Sequence, residues 1–310
     1  MRILVVASGN HGWVAPFVAE QAEALRQAGC DVELFKVEGH GASGYLRNLR
    51  RLKEAIGQFQ PDVLHAHYGL CGLLCTLQHR VPVVVTYHGS DINDSRILPL
   101  SRMAMRRAAH NIFVSEKTKA IAVRHSSSVN KRSSVIPCGI NLGDFPIVDR
   151  IEARQRMGLQ PDGRYVLFAG AFDNTVKNAP LAKAACSQLQ DVTLLELKGY
   201  TRSEVALLMN AVDALLMTSH SEGSPQVIKE ALACGCPIVS VDVGDVKERL
   251  KNIENCYIAA DRTPTELASF LKRAITFNNK TNGRSIIVAD ELDNRLIARK
   301  ILSIYNNLTQ

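Results

Sequence analysis

Residues 219–239 read Ser-His-Ser-Glu-Gly-Ser-Pro-Gln-Val-Ile-Lys-Glu-Ala-Leu-Ala-Cys-Gly-Cys-Pro-Ile-Val, a loop, a short helix and the start of a buried strand in one run. Ser224 is a good N-cap residue, and Pro225 fits the first helical position, where no N–H is needed. Gly235 and Pro237 stop the helix. The backbone of Gly223, Ser224, Pro225, Gln226 and Val227 therefore forms a helix N-terminus, where free N–H groups and the helix dipole attract phosphate. Glu222 precedes this loop. Glu230 follows the cap by under two turns, at roughly 3.6 residues per turn, and looks back over the same ground. An anion cradle between two hydroxyl-binding carboxylates suits a diphosphate with a sugar on either side. The same residues also read as an ordinary capped helix start with a solvated Glu222, so the rest of the chain has to decide.

Working outward, the same strand–helix alternation recurs along all 310 residues. Apolar strands are expected at 3–7, 32–37, 63–66, 83–87, 111–115 and 135–136. Between them lie helices at 13–28, 45–58, 70–78, 98–109 and 116–125. A polar stretch at 149–162 reads as a linker. The pattern then restarts with strands at 165–169, 193–197, 214–217 and 237–241 and helices at 180–190, 202–210, 225–233, 264–277 and 290–307. Short apolar strands alternating with helices predict parallel sheets covered on both faces. The expected fold is α/β, with two Rossmann-like doubly wound domains facing each other across a cleft. They span residues 1–155 and 156–290, with a final helix over 291–310 packing back on the first. Ligands in such sheets sit at the carboxyl ends of the strands.

Composition narrows the function classes. No apolar run approaches the roughly 20 residues a membrane span needs, and the apolar start stops at Ser8-Gly9-Asn10, which reads as a buried strand and not an export signal. The eight cysteines match no zinc spacing, and a reducing cytoplasm follows. The net charge of +7 lies wholly in residues 1–160, with 20 Lys+Arg against 13 Asp+Glu. Residues 161–310 hold 17 against 17. Clusters at Arg47, Arg50, Arg51 and Lys53 and at Arg102, Arg106 and Arg107 suit the anionic inner face of a membrane, or simply a solvated basic face. No nucleic-acid-binding module is present. Gly9-Asn10-His11-Gly12 lacks the G-x-G-x-x-G spacing of a dinucleotide site. There is no D-x-D triplet to bridge a metal to a diphosphate. His65 and His67 share one strand face, but no third metal ligand accompanies them, so a structural role is the better reading.

Several motifs in order carry a resemblance to a family. Asp62-Val63-Leu64-His65-Ala66-His67, Thr86-Tyr87-His88-Gly89-Ser90-Asp91, Val135-Ile136-Pro137-Cys138-Gly139-Ile140-Asn141, Phe168-Ala169-Gly170 with Lys177, and Glu222 to Glu230 resemble the signatures of glycosyltransferase family 4, retaining enzymes of GT-B fold. The resemblance implies sugar transfer from a UDP- or GDP-linked sugar to a hydroxyl of a glycan or lipid-linked acceptor, with no cofactor and no metal, as in bacterial surface polysaccharide synthesis. It assigns the departing diphosphate to Lys177, Gly12 and the backbone of residues 223–227. Glu222 falls to the transferred sugar, Glu230 to the ribose, and His88 to the reacting centre. Asn10 and Asp91 fall on the acceptor side. A non-catalytic nucleotide-sugar-binding protein, or a nucleotide-sugar epimerase on the same fold, are the alternatives. One departure stands out: Ala171 follows Gly170 where the family often carries an Arg that shares the diphosphate with the Lys.

Overall fold

A computed structural model describes residues 1–10, 12–124 and 127–310. His11, and His125 at the end of one expected helix, lie outside the described residues. The chain divides into two compact units, Met1–Gly139 with Leu292–Gln310, and Ile140–Glu291.

The first unit holds six parallel strands: β1 (Arg2–Ser8), β2 (Asp31–Val37), β3 (Val63–His67), β4 (Val83–Tyr87), β5 (His110–Phe113) and β6 (Ser133–Val135). Their order is β2-β1-β3-β4-β5-β6. Because successive side chains on a strand point to opposite faces, Ile3, Val5 and Ala7 of β1 join one core and Leu4 and Val6 the other. Each such buried aliphatic side chain contributes about 1.5–3 kcal/mol. The helix Asn294–Thr309 closes the first core with Ile297, Ile301 and Tyr305, alongside the helix Pro16–Gln27.

The second unit holds five parallel strands: β7 (Arg164–Phe168), β8 (Val192–Glu196), β9 (Ala214–Met217), β10 (Ile238–Val241) and β11 (Tyr257–Ala259), in the order β11-β10-β9-β7-β8. β9 and β10 are buried throughout, as expected for strands covered on both faces.

Both sheets reverse their winding at one point, between β1 and β3 in the first unit and between β7 and β9 in the second. The loops leaving those strands part there and open a crevice at the carboxyl ends.

Two segments differ from expectation. The stretch 149–162 is not an open linker. Arg150–Arg156 forms a helix, capped by Asp149, whose Oδ1 accepts from the N–H groups of Ile151 and Glu152. Arg154, 5% exposed, forks onto both carboxylate oxygens of Asp213 at 3.0 Å. Arg150 pairs with the same carboxylate at 3.0 Å, so a polar sequence disguised a segment anchored by two arginines on one buried aspartate. The basic helix expected over 45–58 is broken into Gly41–Leu46 and Leu49–Phe59. Asn48 interrupts it, its side-chain amide donating to the carbonyls of Glu38 and Gly44. Among the described residues, no helix is long and apolar enough to cross a membrane.

Candidate functional site

In the second unit, Lys177 and Glu222 come from the two loops that part at the winding reversal, after β7 and after β9. The first loop turns through Thr175–Lys177, started by Asn174, whose side chain accepts from the Val176 N–H at 3.1 Å. It is tied to the second by Thr218, whose hydroxyl lies 3.0 Å from the Lys177 carbonyl and 2.9 Å from that of Asn178, and by the His220 N–H on the Val176 carbonyl. Gly170 gives the Lys177 side chain room, since a Cβ there would lie 2.7 Å from its Cγ. The result is a contact 45 residues apart in sequence, with Lys177 Nζ donating to Glu222 Oε1 at 2.8 Å.

The helix after Glu222 runs Gln226–Ala233, with Pro225 as the residue before its first turn. The Ser224 cap expected from sequence does not form. Its hydroxyl donates instead to Asp245 Oδ2 at 2.8 Å, and Arg249 Nε holds the same carboxylate at 3.0 Å. A nearby ionised acceptor outcompetes the local amide. The consequence favours a ligand. Pro225 carries no N–H, but those of Gly223, Ser224 and Val227 meet no acceptor among the described residues. Glu230 is 6% exposed and pairs with Arg202, whose guanidinium also lies 4.5 Å over the Phe145 ring. Asp245, Arg249 and Arg202 carry no local signal in the sequence, because long-range packing alone brings them here.

In the first unit, His65 and His67 both point inward and are fully buried. His65 bonds Thr86 Oγ1 at 2.8 Å and the Tyr305 hydroxyl. His67 Nδ1 lies 3.0 Å from His88 Nε2. Burial lowers the His65 pKa to about 3 and drives that of His67 well below its ordinary value, so both rings are neutral. His67 Nε2 is buried with no partner among the described residues. A stranded acceptor costs less than a stranded donor, which places the His67 proton on Nδ1, directed at His88. The other His88 nitrogen, Nδ1, lies 3.6 Å from Cys138 Sγ, and the ring is flanked by Phe17 and Tyr68.

Asp91 orients the loop after β4 through its backbone. Its Oδ1 accepts from the N–H groups of His88 and Gly89 and its Oδ2 from that of Gly69, all at 3.0 Å. Burial raises its pKa to about 6, against the opposing effect of those amides. Asn10, expected on the acceptor side, uses both amide atoms on Gly39, donating from Nδ2 at 2.9 Å and accepting at Oδ1 at 2.7 Å. Gly12 adopts φ +81°, and its carbonyl accepts from Lys36 Nζ at 3.0 Å.

Sequence comparison matches both halves of the chain to known families. Residues 37–144 match the family described as Glycosyltransferase Family 4, and residues 165–276 the family described as Glycosyl transferases group 1. Together they cover well over half of the chain. A D-inositol 3-phosphate glycosyltransferase of Pseudarthrobacter chlorophenolicus is 25% identical across 78% of this chain and 77% of that protein. A teichuronic acid biosynthesis glycosyltransferase, TuaC, of Bacillus subtilis is 30% identical across 60% of this chain and 54% of its own length. The crystal structure of Anabaena HepE in complex with UDP-glucose superposes with a TM-score of 0.81 at 18% identity, covering 99% of this chain and 100% of that one.

Proposed function

The chain belongs to the glycosyltransferases of family 4 and group 1, with the GT-B fold, and on that premise we propose how its two units divide the reaction. As a group 1 glycosyltransferase it transfers a sugar from a nucleotide sugar. The donor, UDP- or GDP-linked, lies with its diphosphate against Lys177 and the N–H groups of Gly223, Ser224 and Val227. Donors and charges fixed before the reaction stabilise the negative charge that grows on the leaving diphosphate. Lys177 and these amides do this without a metal and without the cation that Ala171 lacks. Glu222 holds hydroxyls of the transferred sugar, and Glu230, oriented by Arg202, accepts from the ribose. The UDP-glucose bound to the structural relative supports this class of donor.

The first unit supplies His88 and the acceptor. That three amides occupy Asp91 supports a same-face displacement with retention, since that carboxylate is already engaged and not placed to act as a nucleophile. The acceptor is a hydroxyl of a glycan or lipid-linked glycan, in keeping with the teichuronic acid relative. The exposed Arg47, Arg50 and Lys53 suit an anionic inner leaflet.

The observation that carries the reading is the 2.8 Å pairing of Lys177 with Glu222 beside amides that meet no acceptor among the described residues, at the β7–β9 crevice. Its test is release of nucleoside diphosphate from a panel of UDP- and GDP-sugars. Turnover should be abolished by Glu222→Gln and strongly reduced by Lys177→Ala. Unchanged turnover in both variants would overturn the site.

A further inference from the structure

The first unit carries a cavity of about 590 Å³ at its own winding reversal, at the carboxyl ends of β1 and β3. Three aromatic side chains stand around it: Trp13 from the loop after β1, Tyr45 from the helix Gly41–Leu46, and Tyr68 from the loop after β3. Ser8, Ser90 and Asp94 supply polar atoms. Tyr68 holds φ +71° and ψ 151°, a conformation rarely adopted by a residue with a side chain. Such strain persists only where the surroundings enforce it and gathers at functional sites. Its ring packs 4.5 Å from that of His88. One aromatic thus links the cavity to the reacting centre.

Charge is the second observation. Among the described residues, no Lys, Arg or His lines the cavity, although the unit that contains it is rich in cations. The ionisable groups that do line it, Asp91 and Asp94 besides the tyrosines, are acidic. Arg96, the partner of Asp94 at 2.8 Å, stands 87% exposed and outside the lining. A phosphate entering here would lose water, find no cation among the described lining residues and meet carboxylates. Specificity built by like charge against the wrong ligand works in this way. A sugar ring, by contrast, offers C–H faces to the aromatics and hydroxyls to the serines and Asp94, the mixture of apolar walls and few polar groups typical of small-molecule sites.

We propose that this cavity receives the acceptor as an uncharged sugar ring and excludes acceptors phosphorylated on that ring. The proposal rests on the reading of the chain as a glycosyltransferase whose acceptor lies in the first unit. It goes further by fixing the acceptor's charge class.

Trp13 makes the test direct. It is the only tryptophan of the chain and is 67% exposed at the cavity. The intact protein, with UDP present and absent, is titrated with the methyl glycosides of glucose, galactose, mannose and N-acetylglucosamine. Parallel titrations use glucose 6-phosphate and D-inositol 3-phosphate. At least one neutral glycoside should saturate a change in Trp13 emission at a concentration ten-fold or more below that of either phosphate ester. Tyr68→Ala should weaken it ten-fold or more, with Tyr68→Phe close to the parent as a control for folding. Asp94→Asn should narrow the gap between neutral and phosphorylated sugars. Phosphate esters binding as well as neutral sugars, or no response to any glycoside, would overturn the proposal. Stabilisation by UDP or GDP in a thermal-shift assay reports on the second unit independently, so failure of the donor site and failure of this cavity are told apart.

Discussion

Lys177 Nζ and Glu222 Oε1 meet at 2.8 Å across the crevice between the loops after β7 and β9, with their side chains 23% and 16% exposed. Without a donor the carboxylate is the cation's partner. A diphosphate would draw the ammonium away and leave Glu222 to accept from sugar hydroxyls. Lys177→Ala should therefore lower kcat/KM for the nucleotide sugar by about 10²–10³-fold, the loss expected for one preorganised donor to a developing anion. Stability should change by about 1 kcal/mol or less, because partly exposed ion pairs contribute little. Kinetics and thermal unfolding of the same preparation check both halves. A large drop in melting temperature with normal turnover would make the pair structural.

Gly244 packs against the backbone of the loop that carries Glu222 and Gly223. It adopts φ +53°, and a Cβ there would lie 2.6 Å from the Gly223 carbonyl oxygen. Gly244→Ala should cost about 1 kcal/mol or more in stability, from the left-handed backbone alone. It should also push the Gly223 carbonyl, and with it the Ser224 N–H of the same peptide group, out of line and weaken UDP or GDP binding roughly ten-fold, since misplacing a fixed donor forfeits much of its effect. Calorimetric titration of the nucleotide decides. Native affinity in a destabilised variant would show that this contact does not shape the cradle.

Asp91 offers a test of the loop that carries His88. In Asp91→Asn one oxygen becomes an NH2 group facing the Gly69 N–H, two donors with no acceptor between them. Such a buried orphan costs about 1–3 kcal/mol. The variant should also lose a pH response. The folded pKa of about 6 lies above the unfolded value of 3.8, so the folded state binds this proton more tightly. Its contribution therefore grows as pH falls from about 6 towards 3.8. Parent minus variant stability, measured by urea unfolding between pH 7 and 5, should rise on acidification. A constant difference would remove Asp91 as a titrating group.

Sequence made the strands legible where burial on both faces left continuous apolar runs, as at Val83–Tyr87 and Ala214–Met217, each of which begins and ends where expected. Glu222 and Glu230 stood out because their spacing around a helix start is local, whereas Lys177, 45 residues from Glu222, was named only through the family resemblance. The helix Arg150–Arg156 was not legible, since its place depends on a pairing with Asp213 some sixty residues on. Ser224 misled for the opposite reason. Its pattern promised a local cap, and Asp245, 21 residues away, supplied a charged acceptor that a single stretch of sequence cannot display. Short helices such as Val246–Arg249, and the edge strand Tyr257–Ala259, carry too few residues for periodicity to register.

The two buried histidines make the first unit sensitive to acid. Both begin near 6.5 when unfolded, and folding lowers His65 to about 3 and His67 well below its ordinary value, in each case chiefly through burial. Below pH 6.5 the unfolded chain therefore takes up two protons that the folded one refuses. The stability these neutral rings permit is complete above 6.5 and is lost as pH falls beneath it, at about 1.4 kcal/mol per proton per pH unit. His110, also lowered chiefly by burial, adds to this loss, and Asp91 opposes it with one proton below about 6, leaving a net loss of about 1.4 kcal/mol per unit or more between about pH 6 and 4. Urea unfolding followed through Trp13, which lies in the first unit, should show that slope. His67→Leu should reduce it by about 1.4 kcal/mol per unit, the share of one histidine proton. Leucine also forfeits the hydrogen bond to His88 Nε2, so the variant should start from a lower stability at pH 7.5, and only the change of slope bears on titration. A slope unchanged in His67→Leu would mean that His67 is already protonated in the folded protein. Its ring would then be an imidazolium with a proton on each nitrogen, and the neutral tautomer assigned above would be wrong.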